Sequence, residues 1–289
     1  MENKIDFIGI GTAKSASTTI ARFLEAHPQI CLSIPQKVLY FNTFHAFWVS
    51  EKKNWRVDKP MSWYFNHFKH CPIDSVKGEY SSIYFSDPDA PERIFNTFPK
   101  VKLIVCFRNP VDRAYSYYQM TKNYHAEEKR TFLEAVQQEK EYIERGLYFK
   151  YLSKYLQYFD KSQICVLTFE EVKNTPAKAV RKLYRFLGVD ENFLPEDIHL
   201  KANSSKQTKS KLINRFEFHI VRTISAFGGS PIIQWLKKNN FHEWFHKLYL
   251  KPDHYAPLKE EDRIWLKQLF LEDIEQLEEF LKMDLSHWK

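Results

Sequence analysis

The sequence predicts an α/β fold, a three-layer sandwich with a central parallel sheet and additional helices toward the C-terminal end. Three observations predict it. Four short apolar runs, Ile5–Ile10, Val76–Tyr80, Val101–Phe107 and Ile164–Phe169, alternate with amphipathic stretches of helical period. The third run passes directly into Arg108 and then Asn109-Pro110, a helix-capping residue followed by the residue favoured at the first helical position. After the first run comes Gly11 to Thr19 (GTAKSASTT), small and hydroxylated with one lysine, which suits a tight strand-to-helix turn. Alternation of this kind requires right-handed crossovers between parallel strands.

Taken in order, Ile5–Ile10 is the first strand and Thr18–Ala26 the first helix, closed by His27-Pro28. Val76–Tyr80 is the second strand, Val101–Phe107 the third, and a helix begins at Pro110. Gly146-Leu147-Tyr148 leads a helix to Phe159. Ile164–Phe169 is the fourth strand, and the helix after it ends at Phe186–Val189 (FLGV), with Gly188 as the stop signal. A last helix lies within Tyr255–Trp288. A chain of 289 residues can bury one sizeable core, so a single domain over 1–289 is expected, with 201–257 as a basic helical lid or appendage.

The appendage stands out by charge. Lys201–Lys251 holds ten cations against Glu217 and Glu243, a local charge of +8, while the whole chain carries +7. Aromatic residues from Phe216 to Tyr249 are interleaved with them. A solvated amphipathic face, a lid, and a surface for nucleic acid or anionic membrane are all readings of that composition. The four cysteines have no paired spacing, and Cys106 and Cys165 fall inside apolar strands, so all four are expected reduced. No stretch approaches a membrane span and residues 1–5 do not read as a signal peptide, so a cytoplasmic enzyme is expected.

Two segments carry chemistry. Arg108 places a permanent cation at the carboxyl end of a strand, where open α/β sheets bind ligands, and Ser116 follows two turns into the next helix. Together they suit a phosphate monoester; a local pair with Asp112 is the plainer alternative. Gly11–Thr19 joins a strand to a helix N-terminus and offers backbone N–H groups, hydroxyls and Lys14, an anion cradle. It departs from the Walker A pattern, because Ala13 rather than glycine precedes Lys14.

Together these segments resemble the two nucleotide signatures of the sulfotransferases that use 3′-phosphoadenosine 5′-phosphosulfate (PAPS), in the bacterial and heparan-sulfate-type branch with its P-loop-like domain. The K-x-G-T-T signature reads Lys14-Ser15-Ala16-Ser17-Thr18 here, with Ala16 for glycine and Ser17 for threonine. The R-x-P-x-x-R-x-x-S signature is complete, from Arg108 through Pro110 and Arg113 to Ser116. The Ala16 methyl fits that turn if its φ is negative. Gly78-Glu79-Tyr80-Ser81-Ser82 and the C-terminal DLSHW extend the resemblance over nearly the whole chain.

The resemblance implies sulfuryl transfer from PAPS, without metal, leaving adenosine 3′,5′-bisphosphate (PAP). It implies Lys14, Ser15, Ala16, Ser17, Thr18 and Thr19 around the 5′-phosphosulfate, and Arg108 and Ser116 on the 3′-phosphate. Asn203–Ser210 resembles the loop that returns over the nucleotide, which makes Lys206 and Lys209 further candidates. The implied acceptor is a hydroxyl or an amine or guanidine nitrogen of a small, natural-product-like molecule; no nucleic-acid partner is expected. A carbohydrate acceptor, a P-loop-type kinase using Glu170, and an inactive nucleotide-binding module are the alternatives.

The general base is where the chain departs from the resemblance. Relatives carry K-E-x-H-F-F after the first helix; this chain reads Gln36-Lys37-Val38-Leu39-Tyr40-Phe41, with Lys37 in place of glutamate. Glu79 is the first substitute, acting with Lys14 in catalysis, or else a structural ion pair to Arg108 or Lys14. His45 and His125 follow. A separate match, His242-Glu243-Trp244-Phe245-His246, has the H-E-x-x-H spacing of zinc hydrolases, a pattern of three fixed residues.

Overall fold

The computed structural model describes residues 4–43, 55–124, 130–198, 206–208, 250–252 and 257–289. The chain divides into two compact units, one of residues 1–118, 131–202 and 258–289, the other of 119–130 and 203–257. In the second unit the described strands are β6 (Lys206–Thr208) and β7 (Leu250–Pro252), paired antiparallel.

The first unit is built on a five-stranded sheet. Its strands are β1 (Phe7–Gly11), β2 (Ile30–Leu32), β3 (Val76–Tyr80), β4 (Lys102–Phe107) and β5 (Ile164–Thr168). They lie in the order β2-β3-β1-β4-β5, and every pairing is parallel. The four predicted strands are present within a residue or two of their expected ends. The fifth, β2, was not predicted: three residues at a sheet edge are too short for a periodic signal.

The central strands are buried on both faces, and their side chains alternate between the two layers. One set, Phe7, Ile104, Cys106, Cys165 and Leu167, packs beneath α1 (Ser17–Ala26) and α9 (Pro176–Leu187). Those helices contribute Ile20, Phe23, Leu24, Val180, Leu183 and Leu187 to the same core. Gly9 is needed for the close approach of β1 to β3: a Cβ there would lie 2.2 Å from the Tyr80 ring. That ring's hydroxyl donates to Gly11 O at 2.9 Å. The α9 helix stops at Gly188, whose φ of 81° closes the last turn.

Between the strands run α2 (Met61–Phe65), α3 (Ala90–Thr97), α4 (Pro110–Tyr124), α5 (Phe132–Gln138), α6 (Glu141–Glu144), α7 (Tyr148–Tyr155) and α8 (Phe169–Asn174). The long α10 (Glu260–Leu281) packs on α7, and Asp273 receives the Phe149 and Lys150 N–H groups at 3.0 and 2.9 Å. The C-terminal Trp288 is fully buried beside Tyr148. No described helix is long and apolar enough to cross a membrane.

The cysteine expectation is corrected in part. Cys106 and Cys165 are free and buried, but Cys31 on β2 is joined to Cys71 in a disulfide spanning 40 residues of sequence. Only the fold brings the two together, since Cys71 follows a short helical stretch laid beside the sheet edge. Closing a loop of that size stabilises a chain by about 4 kcal/mol on the entropy model. Reduction is therefore expected to lower the unfolding free energy by up to about that amount. Denaturant melts with and without a reductant, repeated on the Cys31→Ser/Cys71→Ser variant, check it.

Candidate functional site

The site lies at the carboxyl ends of β1 and β4, neighbours in the sheet. The chain leaves β1 toward β2 on one side and β4 toward β5 on the other, so a crevice opens between their ends. The loop after β1 is anchored underneath. Thr12 donates both its N–H and its hydroxyl to Cys106 O, each at 3.0 Å, and its Oγ1 lies 2.7 Å from Ser15 Oγ. Ser15 is fully buried and also bonded to Tyr148, so its hydroxyl is spent inside the protein.

Above that anchor the backbone turns twice into the left-handed region, at Lys14 (φ 72°) and Ala16 (φ 61°). The condition on which the Ala16 methyl would fit without strain is thus not met; the chain tolerates alanine in a conformation suited to glycine. Left-handed backbone costs an L-residue about 1–2 kcal/mol, and glycine returns roughly 0.5–1 kcal/mol of that as unfolded-state entropy. Ala16→Gly is expected to stabilise the protein by about 0.5–1 kcal/mol, read from denaturant unfolding. The double turn starts α1 with no side chain capping it. By helix geometry its first N–H groups lack acceptors within the helix, and they open at the crevice with the partly exposed Thr18 and Thr19 beside them.

Arg108 closes the other side. The Asn109 carboxamide caps α4, accepting the Val111 and Asp112 N–H groups at 3.0 and 3.3 Å, as Asn-Pro predicts. Asp112 is not the partner of Arg108; it pairs with Arg263 at 2.9 Å. Arg108 instead donates through Nη1 to Lys14 O at 3.2 Å, and its guanidinium lies over the Phe169 ring, 4.4 Å from the centroid. Tyr148, stacked on Phe107, donates its hydroxyl to Arg108 O at 2.8 Å. Ser116 is half-buried on α4. Phe169 and Tyr148 therefore position Arg108, and nothing in their local sequence marked them.

Burial, the Arg108 charge and the Lys37 charge together lower the Lys14 pKa to about 8. Burial also lowers that of Lys37, whose partly enclosed side chain keeps contact with solvent. Three cations thus gather at one end of the sheet. A multiply charged anion fits such a place, because it relieves their repulsion and meets the free donors of α1.

Glu79 does not have the surroundings expected of a general base. It is fully buried at the end of β3, and its oxygens accept from Val38 N (3.1 Å), Ser81 Oγ (2.5 Å), Tyr64 Oη (3.0 Å) and Tyr84 Oη (3.0 Å). Four donors fill the lone pairs of a carboxylate, which leaves none for a substrate proton. Nor is it an ion pair with Arg108 or Lys14, since all four donors are neutral. Burial raises its pKa to about 6 against the pull of those hydrogen bonds.

The strand β6 contains Lys206, while Lys209, His45, His125 and the His242–His246 motif lie outside the described residues. Among the described residues, Cys31, His70 and Cys71 form the group of three side chains capable of ligating a metal, but its two sulfurs are bonded to each other.

Residues 4–270 match a family described as the sulfotransferase domain. The mouse bifunctional heparan sulfate N-deacetylase/N-sulfotransferase 3 is 28% identical over 210 residues, 65% of this chain and 22% of that protein. The membrane-associated sulfotransferase kil1 of Dictyostelium discoideum is 32% identical over 119 residues, 40% of this chain and 23% of that one. The chain spans about a fifth of the length of the curated relatives it matches. Its fold is similar to that of a sulfotransferase from Alicyclobacillus acidocaldarius, with a TM-score of 0.70, 23% identity, and 99% and 98% of the two chains covered.

Proposed function

Because the chain belongs to the sulfotransferase domain family, we propose that it moves a sulfuryl group from PAPS to a small, natural-product-like acceptor. The attacking atom, a hydroxyl oxygen or an amine or guanidine nitrogen, displaces the 5′-phosphate in line, and PAP leaves. One observation carries the reading: Arg108 is bonded to the backbone of the Lys14 loop, beside an uncapped helix N-terminus. A nucleotide with phosphates at both ends of its ribose meets both cations at once.

In this reading the chain's own groups divide the work. Lys14 offsets charge on the leaving 5′-phosphate, and the backbone from Ser15 to Thr19, with the Thr18 and Thr19 hydroxyls, cradles it. Arg108 and Ser116 hold the 3′-phosphate. Ser15 contributes its N–H rather than its committed hydroxyl, and Glu79 positions the loop above it.

Calorimetric titration with PAP tests the nucleotide site, and a screen of acceptors with PAPS tests transfer. Micromolar or tighter PAP binding without added metal, and transfer that survives EDTA, are expected. No PAP binding would remove the proposal, and loss of transfer in EDTA would favour a metal-dependent kinase. A carbohydrate acceptor is the second reading, favoured by the heparan sulfate N-sulfotransferases among the relatives; the same screen, run with amino sugars, separates the two.

A further inference from the structure

The segment carrying Lys37 is fastened to the end of β3 nearly residue by residue. Ser33 Oγ donates to Pro35 O and Gln36 O at 2.9 and 3.1 Å, and Tyr80 N donates to Gln36 O at 3.1 Å. Past Lys37, Val38 N reaches Glu79, Leu39 N reaches Ser81 Oγ at 3.1 Å, and Tyr40 N reaches Tyr84 Oη at 2.7 Å. Leu39 holds a φ of 58° to make that path. The buried Glu79 carboxylate and the Tyr64 and Tyr84 hydroxyls that donate to it form the post to which this segment is tied.

Lys37 is therefore fixed by bonds on either side, at the end of the strand next to β1. Its side chain is exposed and close enough for its charge to act on Lys14. Of the acids named at this end of the sheet, Glu170 follows β5 at the opposite edge from Lys37, and the two nearer ones are committed elsewhere, Glu79 to four neutral donors and Asp112 to Arg263. A cationic nucleophile would find no carboxylate among these groups to receive it or its proton. Lys37 is a poor replacement base, because a lysine facing a donor with several negative charges is held protonated and then has no lone pair.

We propose that Lys37 is a catalytic residue that holds the acceptor as an oxyanion, so that this chain selects acceptors whose attacking hydroxyl ionises near neutral pH. The proposal rests on the sulfotransferase reading. The hydroxyl loses its proton to solvent, and the oxyanion sits against the Lys37 ammonium. It attacks the sulfur; the bond from sulfur to the 5′-phosphate oxygen breaks, and that oxygen keeps the electron pair beside Lys14. No proton is transferred in the step, so no carboxylate base is required.

The test uses the full chain with PAPS and three kinds of acceptor: phenols with pKa values of roughly 7 to 10, an alkyl alcohol and an alkyl amine. PAP titration is run first on every variant, with a thermal melt to establish that each is folded. The wild-type chain is expected to sulfate the ionised phenols at least about 100-fold faster than the alcohol or the amine. Lys37→Met should lower kcat/KM for phenols by about 100-fold while PAP binding persists. Lys37→Glu should lower the phenol rate and raise the alcohol rate above wild type, because it supplies the missing base. A wild-type preference for the amine or alcohol, an unchanged phenol rate in Lys37→Met, or no turnover of any phenol by a PAP-binding chain would overturn it. Failure of the wild-type chain to bind PAP would instead remove the sulfotransferase reading on which it stands.

Discussion

Lys14→Ala is expected to lower kcat by about 10²–10³ while raising the Kd for PAP by less than about tenfold. A cation placed where charge develops on a leaving group acts mainly in the transition state, and losing one such group costs that much. Nucleotide binding keeps Arg108 and the α1 N–H groups, so affinity suffers less. The neighbours of Lys14 add a signature that no purely structural lysine would give. With its pKa at about 8 in the free protein, Lys14 is mostly protonated at pH 7 and mostly neutral at pH 9. A bound anion stabilises the ammonium, which raises that pKa in the complex. The sign follows: affinity for PAP is full below about pH 8 and falls as pH rises through it, by less than about tenfold in all. Titrations from pH 6.5 to 9.5 on wild type and on Lys14→Ala check this. The slope should vanish in the variant, and equal slopes would remove Lys14 from the phosphate site.

Arg108→Ala is expected to weaken PAP by about 10–150-fold with little change in kcat, since it removes a charge-assisted contact made equally in ground and transition states. Such contacts contribute about 1.5–3 kcal/mol, which sets that range. Arg108→Lys should recover only a small part of the loss. The guanidinium is held by its neighbours, with the Phe169 ring on one face and Lys14 O accepting from one of its nitrogens. A lysine reproduces neither the flat face nor the fork. Phe169→Ala, which leaves the charge in place, should weaken PAP by a smaller factor through loss of orientation. If Arg108→Ala lowered kcat as far as Lys14→Ala does, the division of labour between the two cations would be wrong.

The parts legible in the sequence were those written in local patterns. Apolar runs marked β1, β3, β4 and β5, and Asn109-Pro110 marked the start of α4 together with its cap. Lys14 and Arg108 were legible because strand ends and helix starts are the places where such residues are conspicuous. What escaped depended on distant pairings. Cys31 and Cys71 meet only after β2 has joined the sheet edge. Phe169 and Tyr148 looked like ordinary aromatic residues until the fold set one over the Arg108 guanidinium and bonded the other to its carbonyl. Glu79 stands at a strand end, which suggested access to the crevice, but Tyr64 and the Val38 N–H arrive from earlier in the chain to close it in together with its near neighbours Ser81 and Tyr84. The sequence left the φ of Ala16 open, and nothing local to that residue signals its left-handed turn.

The disulfide also draws a boundary through the sequence. Everything between Cys31 and Cys71, Lys37 and α2 included, belongs to one covalent ring, whereas β1, α1, β4 and α4 lie outside it. Beyond Lys37 the ring is tied to Glu79, Ser81 and Tyr84 through the backbone N–H groups of Val38, Leu39 and Tyr40, which nearly any sequence can supply. Such a segment works as a cassette: apart from Tyr64, which binds Glu79, and its buried core positions, its side chains can change while both its ends and its mooring stay put. Chimeras that trade the stretch between the two cysteines should keep their nucleotide and exchange their acceptor, a route by which one sheet can serve many substrates.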